Sequence, residues 1–296
     1  MKRFIMVLLL LSLLFSSCAP AYKFMVGVYS IDELSSTDVF VYDLTTGAIY
    51  TYSDDNDPIV YPASTTKLLT SLVALEILPA DTVIDVGEEV ELIGEHSSIA
   101  YIRQNHMLTL EMLIEAMLIP SGNDATYVVA TACGRELAGD DTLDARDAIA
   151  VFVERMNEYA IELGCENTHF TTPDGYAGDE HYTTVSDMAR ITRAAYQNQI
   201  IMKYTCLAEA NVTYASGHTN TWRNSNLQLH KDSEFYNENV IGMKTGSLED
   251  NYSLITAYND GTTKLLIGVF GAPTKDDRYI DTANIIDAVL SASAKN

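Results

Sequence analysis

The sequence predicts an α+β fold in which a sheet is assembled from both ends of the chain beside a mainly helical region. Strand-like runs lie at residues 39–52 and again at 253–258 and 264–270, whereas the pattern between about 108 and 196 is mostly helical. No internal repeat or low-complexity block interrupts the chain after the first strands. Strands at both ends with helices between them predict one domain of intertwined parts, residues 37–296.

The elements follow one another in a simple order. Two β-rich runs, 39–42 and 48–52, flank a turn that contains Gly47 and predict a hairpin. From Ser64 onward apolar residues cover nearly every face of a helix, so this helix is predicted to lie buried in the middle of the domain. The remaining predicted helices span 109–118, 123–133, 144–163, 184–197 and, after the late strands, 276–292.

The composition is that of a globular protein with a strongly acidic surface. Of the 296 residues 47% are apolar and 20% are charged, which is enough apolar material for one large core. The 41 acidic and 18 basic residues give a formal net charge of −23. Such a surface repels phosphate backbones, so we expect no nucleic-acid partner.

The N-terminus has the pattern of an export signal. Lys2 and Arg3 precede an apolar run at 4–15, which is too short to span a membrane comfortably. Two serines then lead to Cys18, and small residues before a cysteine resemble a bacterial lipobox. The pattern predicts a lipoprotein-type signal at 1–17 with Cys18 as the lipidated first residue.

The remainder of the N-terminal region, residues 18–36, has no clear periodicity and is predicted to be a tether. Phe15 stands where a lipobox usually has leucine, so simple cleavage and an uncleaved anchor remain alternatives. Any of the three places the protein outside the cytoplasm, with a lipid or a signal helix as its attachment to the membrane.

Three further cysteines, Cys133, Cys165 and Cys206, cannot all pair, and none lies in a C-x-x-C arrangement. They are interpreted as small buried hydrophobic residues.

Ser64 and Lys67 form a Ser-x-x-Lys motif at the start of the buried helix. A spacing of three residues places the hydroxyl and the amine on one face of the helix. A serine attacks well only when a neighbouring base takes its proton, and burial lowers the pKa of a lysine towards that role. Taken alone, the motif is better explained by an N-cap serine with an incidental lysine.

Two later motifs supply further polar groups. Ser121 and Asn123 lie at a break between helices, where a hydroxyl could relay a proton and a carboxamide could orient a lysine; a turn with a helix cap is the plainer interpretation. Lys244 and Thr245 precede the late strands and could hold a carboxylate, and Gly246 would let a substrate backbone approach the strand edge. A surface lysine before a turn is the alternative.

The three motifs occur in the order that marks penicillin-binding proteins and class A β-lactamases. The chain resembles, more narrowly, the low-molecular-mass penicillin-binding proteins that act as D-alanyl-D-alanine carboxypeptidases. The resemblance runs from about residue 39 to 270. It is carried by the segments Tyr61-Pro62-Ala63-Ser64-Thr65-Thr66-Lys67, Pro120-Ser121-Gly122-Asn123-Asp124-Ala125, Phe152-Val153-Glu154-Arg155-Met156-Asn157, Leu163-Gly164, Thr168-His169-Phe170, Pro173-Asp174-Gly175, His181-Tyr182-Thr183-Thr184, Asp187-Met188-Ala189 and Gly242-Met243-Lys244-Thr245-Gly246.

This resemblance implies a fold like that of β-lactamases and transpeptidases, with an antiparallel sheet built from both chain ends, flanking helices and an inserted helical region. It also implies serine-type hydrolysis of peptidoglycan stem peptides that end in D-Ala-D-Ala, with β-lactams as covalent inhibitors. Ser64 would be the acylated nucleophile, Lys67 its general base, and Ser121 and Asn123 the proton relay. No metal or organic cofactor is implied.

The same resemblance assigns the substrate side of the site. Lys244 and Thr245 would bind the terminal carboxylate beside Gly246, and the backbone N–H groups of Ser64 and Ser247 would form the oxyanion hole. Two departures stand out. An Asp250-Asn251 pair replaces the usual Ala-Gly, and the chain ends soon after its last helix, without the C-terminal β-domain of many relatives.

Three alternative interpretations fit the sequence less well. A class A β-lactamase would need a Glu-x-x-Leu-Asn segment, which residues 162–167 do not match. A non-catalytic module that binds peptidoglycan or β-lactams would not need the nucleophile that is retained here. A metal site at His169, Asp179, Glu180 and His181 matches no common zinc spacing.

Overall fold

The computed structural model describes residues 23–24, 34–53, 57–176, 178 and 180–293. The helices are α1 (Lys67–Ile77), α2 (Leu110–Leu118), α3 (Asn123–Ala138), α4 (Ala145–Glu162), α5 (Val185–Gln197), α6 (Gln199–Thr205) and α7 (Asp277–Ser293). The strands are β1 (Lys23–Phe24), β2 (Asp38–Asp43), β3 (Ile49–Tyr52), β4 (Ile59–Val60), β5 (Val83–Asp85), β6 (Met107–Thr109), β7 (Thr183–Thr184), β8 (Glu209–Thr213), β9 (Thr219–Arg223), β10 (Val240–Leu248), β11 (Asn251–Asn259) and β12 (Lys264–Ala272).

The main sheet is built from both ends of the chain. Its six strands lie in the order β1-β3-β2-β12-β11-β10, and all neighbours are antiparallel except the short parallel pair of β1 and β3. The N-terminal strand β2 therefore pairs directly with the C-terminal strand β12, with Val41 opposite Ile267. The predicted fold class is confirmed.

Both faces of this sheet are covered. Alternate residues of a strand point to opposite faces, and in β2 Phe40 joins the large core shared with the helical region while Val39 and Val41 join a second core. That second core includes Ile285 from α7. The sheet is thus a layer between α7 and the helical region, which explains why its strands are almost continuously apolar.

The helical region packs around α1, whose first eight residues, Lys67 to Ala74, are all buried. Side-chain caps define where other helices begin. Thr109 accepts a hydrogen bond from the N–H of Met112 at the start of α2, and Thr184 accepts one from Asp187 at the start of α5. These caps agree with the predicted starts to within a residue.

Three features of the fold differ from the sequence-based expectations. Lys244, Thr245 and Gly246 lie inside β10 rather than before the late strands, because the run from Val240 to Leu248 continues the sheet as its last strand. The hairpin of β8 and β9 and the short helix α6 were not predicted. Short amphipathic strands and a seven-residue helix give weak periodic signals.

The domain also begins before residue 37. Leu34 is buried in the α7-side core, and the backbone N–H and hydroxyl of Ser36 both donate to Asp281 on α7. The predicted tether, residues 18–36, is therefore wrong at its C-terminal end. The predicted signal sequence and Cys18 lie outside the described residues. Within the described part of the chain, none of the helices combines the length and the apolar character that crossing a bilayer requires.

Candidate active site

Ser64 lies in a tight 3₁₀ turn, Ala63–Thr66, that leads directly into α1. Ala63 has a positive φ of 47°, and two glycines allow other segments to approach the turn closely. A side chain at Gly175 would collide with the carbonyl of Ala63, and one at Gly246 with the carbonyl of Pro62. Gly246 therefore accommodates the protein's own backbone, whereas the sequence had suggested room for substrate.

Lys67 is fully buried, and its amine is held by three oxygen atoms. Nζ lies 2.8 Å from Ser64 Oγ, 2.8 Å from Asn123 Oδ1 and 3.0 Å from the carbonyl oxygen of Asp174. As the i, i+3 spacing predicted, the serine hydroxyl and the lysine amine lie on the same face and are in contact. Each hydrogen bond reaches Lys67 from a different part of the chain, which fixes the position of the amine.

Burial lowers the pKa of Lys67 to about 8, although the carboxylates of Asp174 and Asp124 act in the opposite direction. Near neutral pH a useful fraction of the amine is therefore uncharged. In that form it can accept the proton of Ser64, with which it is already in contact.

Asn123 is oriented from both ends of its amide. Its Oδ1 accepts from Lys67, while its Nδ2 donates to Ser97 Oγ at 3.0 Å. Ser97 thus holds the end of the amide that faces away from the lysine. Ser121 precedes on the same loop, with a positive φ of 64° and only 5% of its surface exposed. The sequence had not singled out Ser97.

The third motif lies on an edge of the sheet. β10 is the last strand in the sheet order, so one of its sides is not paired within the sheet. Lys244 is buried and its Nζ donates to the carbonyl of Thr245 at 3.1 Å. Burial lowers the pKa of Lys244 well below its ordinary value, and the charges of Lys67 and Arg278 add to that effect. Gly246 packs against the carbonyl of Pro62 and the side chain of Ala63, so the third motif lies directly beside the turn that carries Ser64.

Arg278, which motif reasoning missed, lies behind the same strand. From the first turn of α7 its Nη1 donates to the carbonyl oxygen of Gly246 at 2.9 Å and lies 3.3 Å from Ser247 Oγ. The residue is buried, with only 6% of its surface exposed. Within the described residues its Nε has no hydrogen-bond partner. A cation in the first turn opposes the helix dipole, and this was the one signal in the sequence that could have drawn attention to it.

A hydroxyl pair adjoins this cation. Thr245 Oγ1 lies 2.7 Å from Ser225 Oγ, and the carbonyl of Ser225 accepts from Tyr279 OH at 3.2 Å. Ser225 was also missed, because a single serine in a loop carries no pattern. Ser247 is exposed on β10, opposite Tyr252 of β11.

His181 has a structural position next to the turn. Its Nδ1 accepts from the N–H of Thr171, so the neutral ring carries its proton on Nε2, which lies 3.0 Å from Thr66 Oγ1. Burial, together with His169 and Lys67, lowers the pKa of His181 to about 4. Among the residues with a described placement, no three His, Cys, Asp or Glu side chains form a group that could hold a metal ion; Asp179 lies outside them.

The glutamates of the segment 162–167, where a class A β-lactamase would carry its catalytic glutamate, lie on the surface. Glu162 is exposed and its carboxylate binds Arg155 at 2.7 Å. Glu166 is also exposed. Asp250 is exposed at the turn between β10 and β11, so the departure at Asp250-Asn251 falls beyond the segment that faces Lys67.

The fold and the arrangement of these motifs define a protein of the DD-peptidase class. The crystal structure of the Streptomyces K15 DD-transpeptidase superposes with a TM-score of 0.79 at 23% identity, covering 88% of this chain and 99% of that chain. A penicillin-binding protein homologue from Mycobacterium tuberculosis superposes with a TM-score of 0.73 at 24% identity, covering 90% of this chain and 95% of that chain. Both likenesses establish the fold.

The family follows from the sequence comparison. The family model described as D-alanyl-D-alanine carboxypeptidase matches residues 26–274, and the chain belongs to this family, peptidase family S11. Relatives include the D-alanyl-D-alanine carboxypeptidases DacF of Bacillus subtilis, 28% identical over 81% of this chain, and DacA of Escherichia coli K12, 27% identical over 76% of it. The chain spans 58% and 53% of the lengths of these two relatives.

Proposed function

We propose that the protein is a serine-type D-alanyl-D-alanine carboxypeptidase that removes the terminal D-alanine from peptidoglycan stem peptides. The observation that carries the proposal is the contact between a buried amine, Lys67 Nζ, and the hydroxyl of Ser64. Family membership and the D-alanyl-D-alanine carboxypeptidase activity in the names of the relatives support the substrate class.

In the first half of the reaction Ser64 Oγ attacks the carbonyl carbon of the penultimate D-alanine while Lys67 accepts the hydroxyl proton. The backbone N–H groups of Ser64 and Ser247 stabilise the oxyanion. The C–N bond then breaks, and the leaving amine receives a proton through Ser121, which Asn123 helps to align. Free D-alanine departs, and an ester on Ser64 remains.

In the second half, water attacks the ester carbonyl and gives its proton to the same base. The bond to Ser64 Oγ breaks, the hydroxyl is restored, and the shortened peptide leaves with a new carboxylate. No step requires a metal or an organic cofactor. A β-lactam ring opened by Ser64 forms the corresponding ester, so β-lactams act as covalent inhibitors.

The terminal carboxylate of the substrate is held beside the edge of β10. Thr245 offers a hydroxyl and Lys244 an amine there, and Arg278 supplies positive charge from behind the strand. The unpaired side of β10 suits a peptide that adds as an extra strand. The cation of Arg278 extends the sequence-based assignment, which rested on Lys244 and Thr245 alone.

The test measures D-alanine release from a pentapeptide that ends in D-Ala-D-Ala, together with covalent labelling by a fluorescent penicillin. Ser64→Ala abolishes both, whereas Ser291→Ala at the exposed end of α7 retains both. Labelling that survives in Ser64→Ala would remove this serine from its role. Rapid hydrolysis of a chromogenic cephalosporin without D-alanine release would identify a β-lactamase. Penicillin binding without either activity would identify a non-catalytic binding module.

We further propose that the protein acts on the outer side of the cytoplasmic membrane, attached through a lipid on Cys18. The basic and apolar pattern of the first 17 residues supports export. Lipid attachment predicts incorporation of radiolabelled palmitate and recovery in the membrane fraction. Both are lost in Cys18→Ser; a variant that keeps the label would contradict this site.

A further inference from the structure

A cavity of about 470 Å³ lies between the 101–106 loop and the β8–β9 hairpin. Neither an aspartate nor a glutamate is among the described residues that line it, although acidic residues outnumber basic ones by 41 to 18 in the chain. Its lining includes Tyr101, Arg103, His106, Tyr214, His218 and Asn220. In so acidic a protein, a cavity lined by basic and neutral groups is a chemically distinct environment.

Both histidines of the cavity are held by hydrogen bonds to Nδ1, and one of them is thereby set as a donor. His106 Nδ1 accepts the N–H of Arg103 at 3.1 Å, so the proton of the neutral ring is on Nε2. Ser216 Oγ accepts the N–H of Met107 and lies 3.1 Å from His218 Nδ1, which positions the second ring.

The nitrogen-bearing groups of the cavity are close together, and the charge of its arginine is uncompensated. The rings of His106 and His218 have centroids 4.4 Å apart. Burial lowers the pKa of His106, and the nearby His218 and Arg103 lower it further. Within the described part of the chain the guanidinium of Arg103 forms no ion pair. An anion bound among these groups would pair with the guanidinium of Arg103.

The cavity is connected rigidly to the candidate active site through Ala100. Its N–H donates to the carboxylate of Asp124, and Gly122 packs so closely on it that a side chain at 122 would collide. Its carbonyl accepts from Trp222 Nε1 at 2.9 Å and from Asn220 Nδ2 at 2.8 Å. The hairpin that forms one wall of the cavity is thereby fixed to the loop that carries the second motif.

The cavity begins within a short stretch of chain from the candidate active site. Tyr101 follows Ser97, the partner of Asn123, by four residues, which an extended chain spans in at most about 14 Å. In a stem peptide the glutamyl residue lies two residues before the penultimate D-alanine, a comparable reach of roughly 7–14 Å.

We propose that this cavity, through Arg103, His106 and His218, binds a free carboxylate of the stem peptide upstream of the scissile bond. The inference rests on the proposed carboxypeptidase function. Two sources share the required chemistry, namely the α-carboxylate of the γ-linked D-glutamate and the side-chain carboxylate of a diamino acid at the third position. The cavity thus selects stem peptides whose upstream carboxylates are not amidated.

The test compares KM and kcat for D-alanine release from three pentapeptides: one with both carboxylates free, and one with each carboxylate amidated in turn. For Arg103→Gln/His218→Gln we expect KM for the free substrate to rise about three- to fivefold, as for an exposed charge-assisted contact, with kcat unchanged. The amidated peptide whose KM does not respond to the variant identifies the bound carboxylate. Arg146→Gln, an exposed arginine elsewhere, is the matched charge control.

Equal rises in KM for all three substrates, or no rise for any, would overturn the inference. A separate measurement does not depend on turnover: the tripeptide L-alanyl-γ-D-glutamyl-meso-diaminopimelate, which carries both carboxylates, should shift the imidazole NMR signals of His106 and His218, and its fully amidated form should not. If no peptide releases D-alanine but these shifts occur, the proposed function fails and the cavity assignment stands. Absent shifts with normal D-alanine release refute the cavity assignment alone.

Discussion

At the scale of single residues, the chemistry depends on an amine that the fold keeps both buried and hydrogen-bonded. Lys67 has no access to solvent, and its three oxygen partners come from the Ser64 turn, the start of α3 and the Asp174 loop. Burial favours the neutral form, and the nearby carboxylates favour the charged form. Their balance places the pKa of Lys67 close to the pH at which the protein would work.

The pH dependence of acylation follows from this balance. The reactive form is the neutral amine, so below a pKa of about 8 the acylation rate should rise roughly tenfold per pH unit and should level off above it. Asp174→Asn removes a carboxylate that raises the pKa of Lys67, so the midpoint should move to lower pH. Stopped-flow acylation by a penicillin measures both profiles.

Asp81→Asn, which removes an exposed carboxylate elsewhere, is the control and should leave the midpoint in place. A profile that is flat between pH 6 and 9 would show that Lys67 is not the base; this range brackets the value of about 8.

At the scale of elements, α7 and β10 act as a pair. The helix covers the outer face of the sheet. From its first turn, the Arg278 guanidinium donates hydrogen bonds to the carbonyls of Gly246 and Ser253 and to the hydroxyl of Tyr279. The strand that carries Lys244 and Thr245 is therefore supported by a buried cation. A helix whose visible role is to cover a core also contributes charge to the candidate site.

Arg278→Gln tests this coupling. The substitution removes the charge behind β10, so we expect KM for a D-Ala-D-Ala peptide to rise about tenfold or more, in line with loss of a charged hydrogen bond. kcat should change less than KM. Arg278→Lys, which keeps the charge, should recover part of the loss. Steady-state kinetics of D-alanine release provide the measurement.

A purely structural arginine would give a different result. The melting temperature would then fall in both variants, and KM would remain that of the parent protein. Arg146→Gln again controls for the change in net charge.

At the scale of the whole molecule, the site lies where the edge of the sheet meets the helical region. Its parts come from residues as far apart as Ser64 and Arg278. Long-range hydrogen bonds, such as that between His181 and Thr66, hold them together. His181 is buried and neutral, and its two ring nitrogens bind different segments. Its pKa is lower in the folded protein than in the unfolded chain, so protonation of this ring destabilises the folded state.

The stability of the protein should therefore fall in mild acid. The unfolded chain takes up a proton at His181 near its ordinary value of 6.5, whereas the folded protein takes it up near 4. The contribution is present in full above 6.5 and is lost as the pH falls towards 4, by at most about 3 kcal/mol. His181→Gln should flatten this part of the curve, as measured by chemical unfolding between pH 7.5 and 4.5.

His96→Gln, at an exposed histidine, should keep the slope of the parent. Parallel curves for the parent and His181→Gln would show that this ring does not control acid stability.

Much of the architecture was predictable because it depends on periodic patterns. Apolar periodicity identified α2, α4, α5 and α7 to within about one residue at each end. Three motifs, read together, indicated Ser64, Lys67 and Lys244, because a family resemblance connects residues that no local pattern connects. The strand β10 escaped notice because its glycines at 242 and 246 interrupt the β-rich pattern.

By itself the sequence determined the class of fold, the order of the motifs and the spacing that puts Ser64 beside Lys67, since each depends on neighbours along the chain. Only the tertiary structure decided that Ser97 contacts Asn123, that Arg278 supports β10 and that Arg103, His106 and His218 share one cavity. These relations join residues separated by tens or hundreds of positions, and short-range periodicity carries no information about which of them meet. Contact across such separations is set by how the sheet and the helices pack.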